Sequence, residues 1–531
     1  MSKLKDHIDI LYLIGLLSIL YIPHIFTGGL LLDDLGLLVE AIRFTSYFEF
    51  QNFLWNSITM TARPVSAVLH GICYWYFESN AWAFHLINII LFFGSIIIFY
   101  LAMKNIVGKN IALLSSLMAI IYPCSSSTIF SSIMMNCNLA AIFWSIALYI
   151  STIKIKFKSQ LIVVSLILSS LSYEVFIPLF ILYPLFNNFI MSYDRLSIKK
   201  IYLEILPIII AITGFGFYRY VIEPFLFDTS FSRIKIFSFP IILKKFYFSL
   251  LSGFKIIFYE TINISVNAIN NFQDISILYL ILIVLFACIG IFLYKDILII
   301  GNNSKIINNN ITSKKRILPL YNLIIVSLIL FIISHLIFVF SVYKPDTVGF
   351  ENRTLGAIRF SSSILISILF FSIYNILKNK KLKSLFSSMI IGIIILFTIS
   401  IVGQQKAWAF ASDFNNNTID LMNDIIKEQG FVNKNENLNL VAKLPKIFPQ
   451  QINQEPILCS PWGLTSLLTL SNPNMKIDAN VLCTEAIVSE HKIALDGHGY
   501  WEVYYPFWYY DYRKENFFRI SSSIDWYKNL N

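Results

Sequence analysis

A nearly unbroken apolar run, IDILYLIGLLSILYIPHIF, occupies Ile8–Phe26 and is followed at once by TGGLLLDDLG at Thr27–Gly36. As a helix this run is long enough to cross roughly 30 Å of hydrocarbon. Because no small-residue cleavage site follows it, we interpret it as a retained first membrane span rather than a removed signal peptide. The adjacent carboxylates of Asp33 and Asp34 then lie at the membrane surface, where charged side chains are costly and usually functional.

The composition of the whole chain is that of a membrane protein. Its 531 residues are 56% hydrophobic and 14% charged, with a mean hydropathy of +0.68, whereas soluble domains carry roughly 25% charged residues. The formal net charge of +10 does not indicate nucleic-acid binding, because most lysines fall in short loops between apolar runs, as cytoplasmic anchors do. We therefore expect contacts with membrane lipids and none with nucleic acid.

Eleven apolar runs predict about eleven membrane spans. Basic residues precede the first run and follow every even-numbered one, so those loops and the N-terminus are predicted to be cytoplasmic. The run Leu161–Phe186 is interrupted by Glu174 and fits either one long tilted helix or two short passes; basic flanks favour two, with Tyr173 and Glu174 at the outer turn. The eleven runs lie near residues 8–26, 84–103, 110–123, 136–152, 160–172, 174–190, 201–222, 274–294, 317–341, 356–377 and 384–402.

This pattern predicts an all-α polytopic membrane protein over residues 1–403, with a first outer loop at 27–80, and a C-terminal extracytoplasmic α+β domain at 404–531. The segment 223–272 is amphipathic and is expected to lie along the membrane interface. The loop 342–355 is also predicted to lie on the outer side.

The six cysteines are too few for a disulfide scaffold, but two pairs of them fall in predicted outer segments, where disulfide bridges can persist. The candidate pairs are Cys124 with Cys137 and Cys459 with Cys483.

The acidic pair is the first candidate for chemistry. Two adjacent carboxylates repel, so one can keep a raised pKa while its neighbour stays ionised. One of them could accept the proton of an attacking hydroxyl. The alternative is a solvated turn without chemical function.

Three polar features are expected to face the same side as the pair. Arg63 precedes Pro64 at a predicted helix start, and His85 and Asn88 are one helical turn apart on one face. Glu174 is an ionisable side chain at the outer turn. The alternative for His85 and Asn88 is mutual hydrogen bonding between helices, and for Glu174 a structural carboxylate at the membrane surface.

Two late arginines complete the candidate set. Arg353 and Arg359 flank the start of the tenth run on the outer side, against the positive-inside bias, and a guanidinium group is suited to hold a phosphate. The alternative is anchoring to ordinary lipid headgroups. The chain has no Gly-rich phosphate loop, His-Glu-x-x-His or Gly-x-Ser-x-Gly motif, and its seven scattered His do not predict a metal centre.

The order of these motifs resembles the GT-C superfamily of membrane glycosyltransferases, closest to the protein O-mannosyltransferase-like and O-antigen glucosyltransferase-like enzymes. In that superfamily an acidic pair, Arg-Pro-Leu and His-x-x-Asn follow one another as Asp33-Asp34, Arg63-Pro64 and His85 to Asn88 do here. The resemblance covers residues 8–190, and more loosely 318–402.

Two later motifs match less closely. Ser172-Tyr173-Glu174 stands where the superfamily has Ser-Lys-Glu, so no role follows for a cation at position 173. Either Arg353-Thr354 or Arg359-Phe360 stands for a late Arg-Tyr pair.

The resemblance implies an inverting transfer of a sugar from a polyprenyl-phosphate carrier to a hydroxyl of a surface polysaccharide, a lipid-linked glycan or a protein. Such a reaction would take place on the outer face, periplasmic or exterior, of a bacterial inner membrane. A lipid-linked donor needs no nucleotide-binding domain. The resemblance leaves open whether a divalent cation, Mg²⁺ or Mn²⁺, is required.

The resemblance also implies roles for individual residues. Asp33 would take the proton of the acceptor, Asp34 and Glu174 would position the substrates, and an arginine, assisted by Lys344, would stabilise the departing phosphate. We therefore expect Asp33 and at least one late arginine to share one cavity. The implied catalytic residues are Asp33 and Asp34, and the implied substrate-binding residues are Arg63, His85, Asn88, Glu174, Lys344, Arg353 and Arg359.

Two other functions are compatible with the same pattern. A polysaccharide polymerase, flippase or transporter would bind the same lipid-linked glycan, although an acidic pair directly after the first span is not expected there. A non-catalytic scaffold could use the tail to bind a partner. The tail aromatics would stack on sugar rings or pack on the membrane surface; they are Trp501, Tyr504, Tyr505, Trp508, Tyr509 and Tyr510.

Overall fold

The predicted apolar runs form helices because a helix satisfies its backbone hydrogen bonds internally, as a membrane interior requires. In the computed structural model the chain is mostly helical, and a small sheet lies near the C-terminus. The structure describes residues 2–31, 33–57, 60–188, 198–227, 239–270, 320–339, 341, 343–431, 437–444, 448, 450–455, 458, 461–482, 486–488, 492–496 and 500–530.

Seven helices of this described part are long and apolar enough to cross a membrane, which confirms the class of helical membrane protein. Three further apolar helices are shorter, at Lys109–Ile121, Lys158–Ser172 and Glu174–Phe186. The predicted span 274–294 lies outside the described residues, so the number of eleven spans stays a prediction. The seven long helices lie at Ile8–Thr27, Ala81–Val107, Ser132–Thr152, Ile201–Leu226, Tyr321–Phe338, Ile358–Ile376 and Lys380–Glu428.

The elements are numbered along the chain. The helices are α1 (Ser2–Thr27), α2 (Asp33–Arg43), α3 (Tyr47–Asn56), α4 (Pro64–Phe77), α5 (Ala81–Val107), α6 (Lys109–Ile121), α7 (Ser127–Phe130), α8 (Met135–Thr152), α9 (Lys158–Ser172), α10 (Leu182–Phe186), α11 (Ile198–Phe217), α12 (Glu223–Leu226), α13 (Phe239–Lys255), α14 (Thr261–Asn270), α15 (Leu320–Ser334), α16 (Ile358–Ile376), α17 (Lys380–Glu428), α18 (Pro461–Ser471) and α19 (Ser523–Leu530). The strands are β1 (Leu438–Lys443), β2 (Ile477–Leu482), β3 (Ala486–Val488), β4 (Lys492–Asp496), β5 (Tyr500–Tyr504), β6 (Phe507–Asp511) and β7 (Asn516–Ile520).

The apolar run around Glu174 is divided into two pieces, as predicted. Helix α9 ends at Ser172, and Tyr173 has an extended backbone with φ −160° and ψ 117°. A 3₁₀ helix over Glu174–Ile181 then leads into α10. Because an extended residue cannot continue an α-helix, the carboxylate of Glu174 is placed at a break between two helical segments.

Helix α17 crosses the predicted domain boundary. It runs without interruption for 49 residues, so positions 403 and 404 lie inside a continuous helix. Its C-terminal part contributes Ile419, Met422 and Ile426 to the same apolar cluster as strand residue Leu440. The membrane helix therefore extends directly into the core of the C-terminal domain.

The C-terminal domain contains two sheets. The larger one has the strand order β2-β1-β6-β7; β1 is parallel to both β2 and β6, and β7 is antiparallel to β6. The smaller sheet is antiparallel, with the order β3-β4-β5. Alternate residues along β1 and β6 face two different apolar clusters, so the larger sheet is covered on both faces.

Two predictions about the outer segments have different outcomes. Cys124 and Cys137 are both buried and unbridged, so the expected first disulfide does not form: they are packed among apolar side chains. Cys459 and Cys483 lie outside the described residues. In the amphipathic segment, α13 leaves Phe239 and Tyr247 exposed at 70% and 63%, a surface suited to the membrane interface.

Candidate functional site

The site begins with a long-range ion pair. Arg63 precedes α4, whose first residue is Pro64, and its guanidinium donates to both carboxylate oxygens of Glu174 at 3.0 and 2.7 Å. Burial alone would lower the pKa of Arg63, but the Glu174 carboxylate outweighs it and raises that pKa. Arg63 is therefore a permanent cation that holds the turn at Tyr173 and Glu174 against the start of α4.

A second ion pair joins the acidic pair to a late arginine. The Asp33 carboxylate lies 3.7 Å from the Arg353 guanidinium, with 45% of the Asp33 side chain exposed. Glu351 lies 3.6 Å from the same guanidinium, which also covers the Phe350 ring at 4.1 Å. Asp33 and Arg353 thus form an accessible anion–cation contact, as the sequence led us to expect for one of the two late arginines.

Tyr173 connects the two ion pairs. The Arg63 guanidinium lies 4.2 Å above its ring, a cation–π contact. Burial raises the pKa of Tyr173 to about 12, and the guanidinium groups of Arg63 and Arg353 both oppose that rise. Since both cations act on one phenol, the Arg63–Glu174 pair and the Asp33–Arg353 pair belong to one site.

Asp34 has a different environment from its neighbour. It is fully buried and accepts hydrogen bonds from Tyr74 and Ser132, each at 2.7 Å. Burial raises its pKa to about 7, with only a minor contribution from Asp33. The raised pKa predicted for one member of the pair is found, but its main cause is desolvation rather than mutual repulsion. Asp34 is therefore a packed, hydrogen-bonded group, and Asp33 is the accessible one.

The candidates on α5 serve the fold. Asn88 donates to the backbone carbonyls of Ile129 and Ser131 at 2.9 and 3.1 Å and accepts from Asn138 at 2.7 Å. His85 lies 3.2 Å from the Gly29 carbonyl. For Asn88 the structure supports the alternative of polar groups that satisfy one another between helices, whereas the buried Nδ1 of His85 has no hydrogen-bond partner among the described residues.

Arg359 is not at the site. It is 2% exposed, and its guanidinium donates to the Ser125 hydroxyl and carbonyl, both at 2.7 Å, and to the Thr128 hydroxyl. It lies on the inward face of α16, because the core of the helix bundle surrounds that position. Its expected role in phosphate binding is therefore replaced by a structural one, which is to fix the 123–131 segment.

Lys344 follows Tyr343, whose ring lies 6.0 Å from the Arg353 guanidinium, and the tail aromatics belong to the C-terminal domain. Lys344 is 84% exposed and lies 3.2 Å from Asp346. Tyr509 and Tyr510 are buried in the C-terminal domain, whereas Tyr504 is 60% exposed. The two buried tyrosines cannot stack on a sugar without unfolding the sheet.

The sequence interpretation missed His70. It is fully buried, and among the described residues neither ring nitrogen has a hydrogen-bond partner. Burial, with a smaller contribution from Arg63, lowers the pKa of His70 to about 4. A signal was present, because Arg63, Ser66, His70 and Tyr74 recur every three or four residues and so share one face of α4.

Within the described part of the chain, no group of three His, Cys, Asp or Glu side chains is placed to hold a metal ion. No family model matches the chain, and no curated protein is significantly similar to it in sequence.

Proposed function

We propose that this protein is an inverting glycosyltransferase that moves a sugar from a polyprenyl-phosphate carrier to a hydroxyl acceptor at the outer face of a membrane. The observation that carries the proposal is the Asp33–Arg353 contact, in which an accessible carboxylate at the start of α2 lies 3.7 Å from a partly buried guanidinium. The proposal includes eleven spans and a site on the non-cytoplasmic side of a bacterial inner membrane. The acceptor is a hydroxyl of a surface polysaccharide, a lipid-linked glycan or a protein.

The chemistry needs one base and one cation. As the acceptor oxygen forms a bond to the anomeric carbon, its proton passes to the Asp33 carboxylate. The bond between the anomeric carbon and the carrier phosphate oxygen breaks, and the phosphate leaves with the electron pair. Arg353 stabilises the growing negative charge on that phosphate. One displacement from the opposite side inverts the configuration of the anomeric carbon.

Before substrate binds, Arg353 has two carboxylates beside it, Asp33 at 3.7 Å and Glu351 at 3.6 Å. Both distances exceed those of a tight charge-assisted hydrogen bond, about 2.7–2.9 Å. The singly charged phosphodiester of the donor would compete with such loose contacts for Arg353. Its arrival would also free the Asp33 carboxylate to face the acceptor hydroxyl.

Arg63 and Glu174 act as positioning residues in this proposal. Their mutual hydrogen bonds leave the Glu174 side chain 21% exposed, and the Arg63 guanidinium lies 4.2 Å from the centre of the Tyr173 ring. The pair therefore shapes the wall of the site. Tyr74 and Ser132 donate hydrogen bonds to the Asp34 carboxylate and so hold the first turn of α2, where Asp33 lies.

An Asp33→Asn variant tests the proposal. Surface glycans and glycoproteins of cells that carry the variant are compared by mass spectrometry with those of wild-type cells and of cells that lack the gene. We expect the variant to be expressed and inserted normally and to lose the mass of one sugar, as the gene deletion does. Glu351→Gln is the matched control, because it removes the other carboxylate beside Arg353, and it should retain the product.

Retention of the product by Asp33→Asn would contradict the proposal. That outcome would instead favour a polymerase, flippase or transporter of the lipid-linked glycan, or a scaffold. Loss of the product in both variants would mean that the charge around Arg353, rather than a base at position 33, is what the reaction needs.

A further inference from the structure

The C-terminal domain carries a polar cleft that the mechanism does not use. It has a volume of about 340 Å³ and lies at the end of the larger sheet. We name it the sheet-end cleft. Its lining includes Phe431, at the end of the segment that follows α17, and residues of β1, β6 and β7. The polar and aromatic groups that the argument uses are Gln429, Asn437, Asn439, Trp508 and Arg519.

The three amide side chains are available to a ligand. Asn437 and Asn439 are exposed and Gln429 is half-buried, and none of the three has a side-chain hydrogen bond to another described residue. Each amide offers two N–H donors and one carbonyl acceptor in a plane. Planar groups of this kind match the adjacent hydroxyls of a sugar ring.

The aromatic wall is held rigidly. Trp508 is half-buried in β6, and its ring meets the Phe431 ring edge-to-face at a centroid distance of 4.8 Å. Its exposed part can cover an apolar surface without losing side-chain entropy, since packing already fixes the rotamer. The C–H face of a pyranose ring is such a surface.

Arg519 adds one charge. It is directly opposite Trp508 in the β6–β7 register, so the two side chains are neighbours on one face of the sheet. Arg519 is exposed, and no carboxylate is among the described residues that line the cleft. An isolated guanidinium is suited to bidentate binding of a carboxylate.

From these features we infer that the sheet-end cleft binds an oligosaccharide that carries a carboxylate, as a uronic-acid residue does. The amides bind the hydroxyls, Trp508 packs on the ring face and Arg519 binds the carboxylate. A cleft with one cation and several neutral amides fits a sugar acid better than a polyanion. If the cleft holds the acceptor glycan, this inference rests on the proposed function; binding itself does not.

The test uses the full chain in lipid nanodiscs, labelled with a fluorophore, on an array of uronic-acid oligosaccharides. Each oligosaccharide is printed beside its carboxyl-reduced form, which differs only in having a neutral hydroxymethyl group. We expect at least one acidic member to bind about tenfold or more tightly than its reduced partner, the usual value of a charge-assisted pair. Arg519→Gln should abolish that difference, and Trp508→Ala and Gln429→Ala should weaken binding to both forms.

Two matched controls lie in the same domain but outside the cleft. Arg513→Gln removes a cation from the β6–β7 turn, and Tyr504→Ala removes an exposed ring; both should bind as wild type does. Because Trp508 packs on Phe431, a misfolded Trp508→Ala would be uninformative, and Gln429→Ala, at a half-buried amide of the cleft lining, then decides. Absence of binding to every printed glycan, or an acid preference that survives Arg519→Gln, would overturn the inference.

Asp33→Asn separates the two proposals. It should lose sugar transfer and keep glycan binding. If Asp33→Asn keeps transfer, the proposed function fails while the cleft is untouched; if glycan binding is absent while transfer depends on Asp33, only the inference about the cleft fails.

Discussion

Arg63 and Glu174, 111 positions apart in the sequence, form a two-point ion pair with N–O distances of 3.0 and 2.7 Å. The pair joins the start of α4 to the break between α9 and the following 3₁₀ helix. Both groups are mostly shielded from solvent, with side-chain exposures of 10% and 21%. The geometry of the candidate site therefore depends on a contact between two distant parts of the chain.

The first prediction concerns this pair. Arg63→Met or Glu174→Leu alone should lower the free energy of unfolding by about 2–3 kcal/mol, because each leaves a shielded charge without its partner. The double variant should recover most of that loss, since two apolar groups replace two charges. Unfolding in detergent provides the measurement.

The exposed pair Glu40–Arg43 is the control for the first prediction. Its side chains are 31% and 61% exposed, so its removal should change the free energy of unfolding by less than about 1 kcal/mol. Equal losses from both pairs would show that Arg63 and Glu174 have no special structural role.

The second prediction separates the late arginines. Arg359→Met should destabilise the fold by about 2–4 kcal/mol, because Ser125 and Thr128 lose their donor in a buried position. Arg353→Gln should leave the melting temperature nearly unchanged and abolish sugar transfer. Thermal melting and the glycan mass difference are measured on the same two proteins. A stable, inactive Arg359→Met with an active Arg353→Gln would reverse the assignment.

The third prediction is a pH dependence that comes from Asp34. Its folded pKa of about 7 lies above the unfolded value of about 3.9, so between these two values the native state binds more protons. Stability therefore falls as pH rises from 4 to 7 and levels off above 7, with a slope of up to about 1.4 kcal/mol per pH unit from this group.

Asp34→Asn should remove that contribution, while the exposed Asp33→Asn should not. Glu455, whose pKa burial also raises to about 7, contributes a slope of the same sign, so about half of the combined slope should remain. Unfolding curves between pH 4.5 and 8 measure it. An unchanged slope in Asp34→Asn would mean that Asp34 is ionised throughout this range in the folded protein.

The fourth prediction tests how α17 packs on the turn between α1 and α2, where Gly29 lies. A Cβ atom at Gly29 would overlap the Ser412 hydroxyl oxygen, so Gly29→Ala should destabilise the protein by about 1–3 kcal/mol. Ser412→Ala removes that oxygen and should restore part of the loss. Gly36→Ala is the control, because a Cβ there meets nothing within 4 Å. Full stability of Gly29→Ala would indicate that α17 does not lie against this turn.

Several features of the fold could be predicted from local sequence. Apolar runs identify membrane helices because the thickness of the hydrocarbon sets their length. The basic residues on both flanks of the run interrupted by Glu174 predicted the break after Ser172, and Pro64 predicted the start of α4. Each of these features depends on residues within one or two helical turns of it, so it does not depend on contacts with distant parts of the chain.

The site was harder to predict, because burial is a property of packing. Arg353 and Arg359 are six positions apart and equally charged, yet one contacts Asp33 and the other lies in the core. Asp33 and Asp34 are neighbours that differ in the same way. The helix phase that turns one side chain inward and the next outward depends on all the helices around it.

By itself the sequence determined that the chain is a helical membrane protein, and it predicted a polar set at the turns expected to face outward, since hydropathy and side-chain charge are local properties. Only the tertiary structure decided which members of that set meet. It placed Arg353 beside Asp33, joined Arg63 to Glu174, buried Asp34 and Arg359, and carried α17 through the expected domain boundary. Those outcomes depend on contacts between residues far apart in the chain, whose free energy cannot be assigned to any one segment.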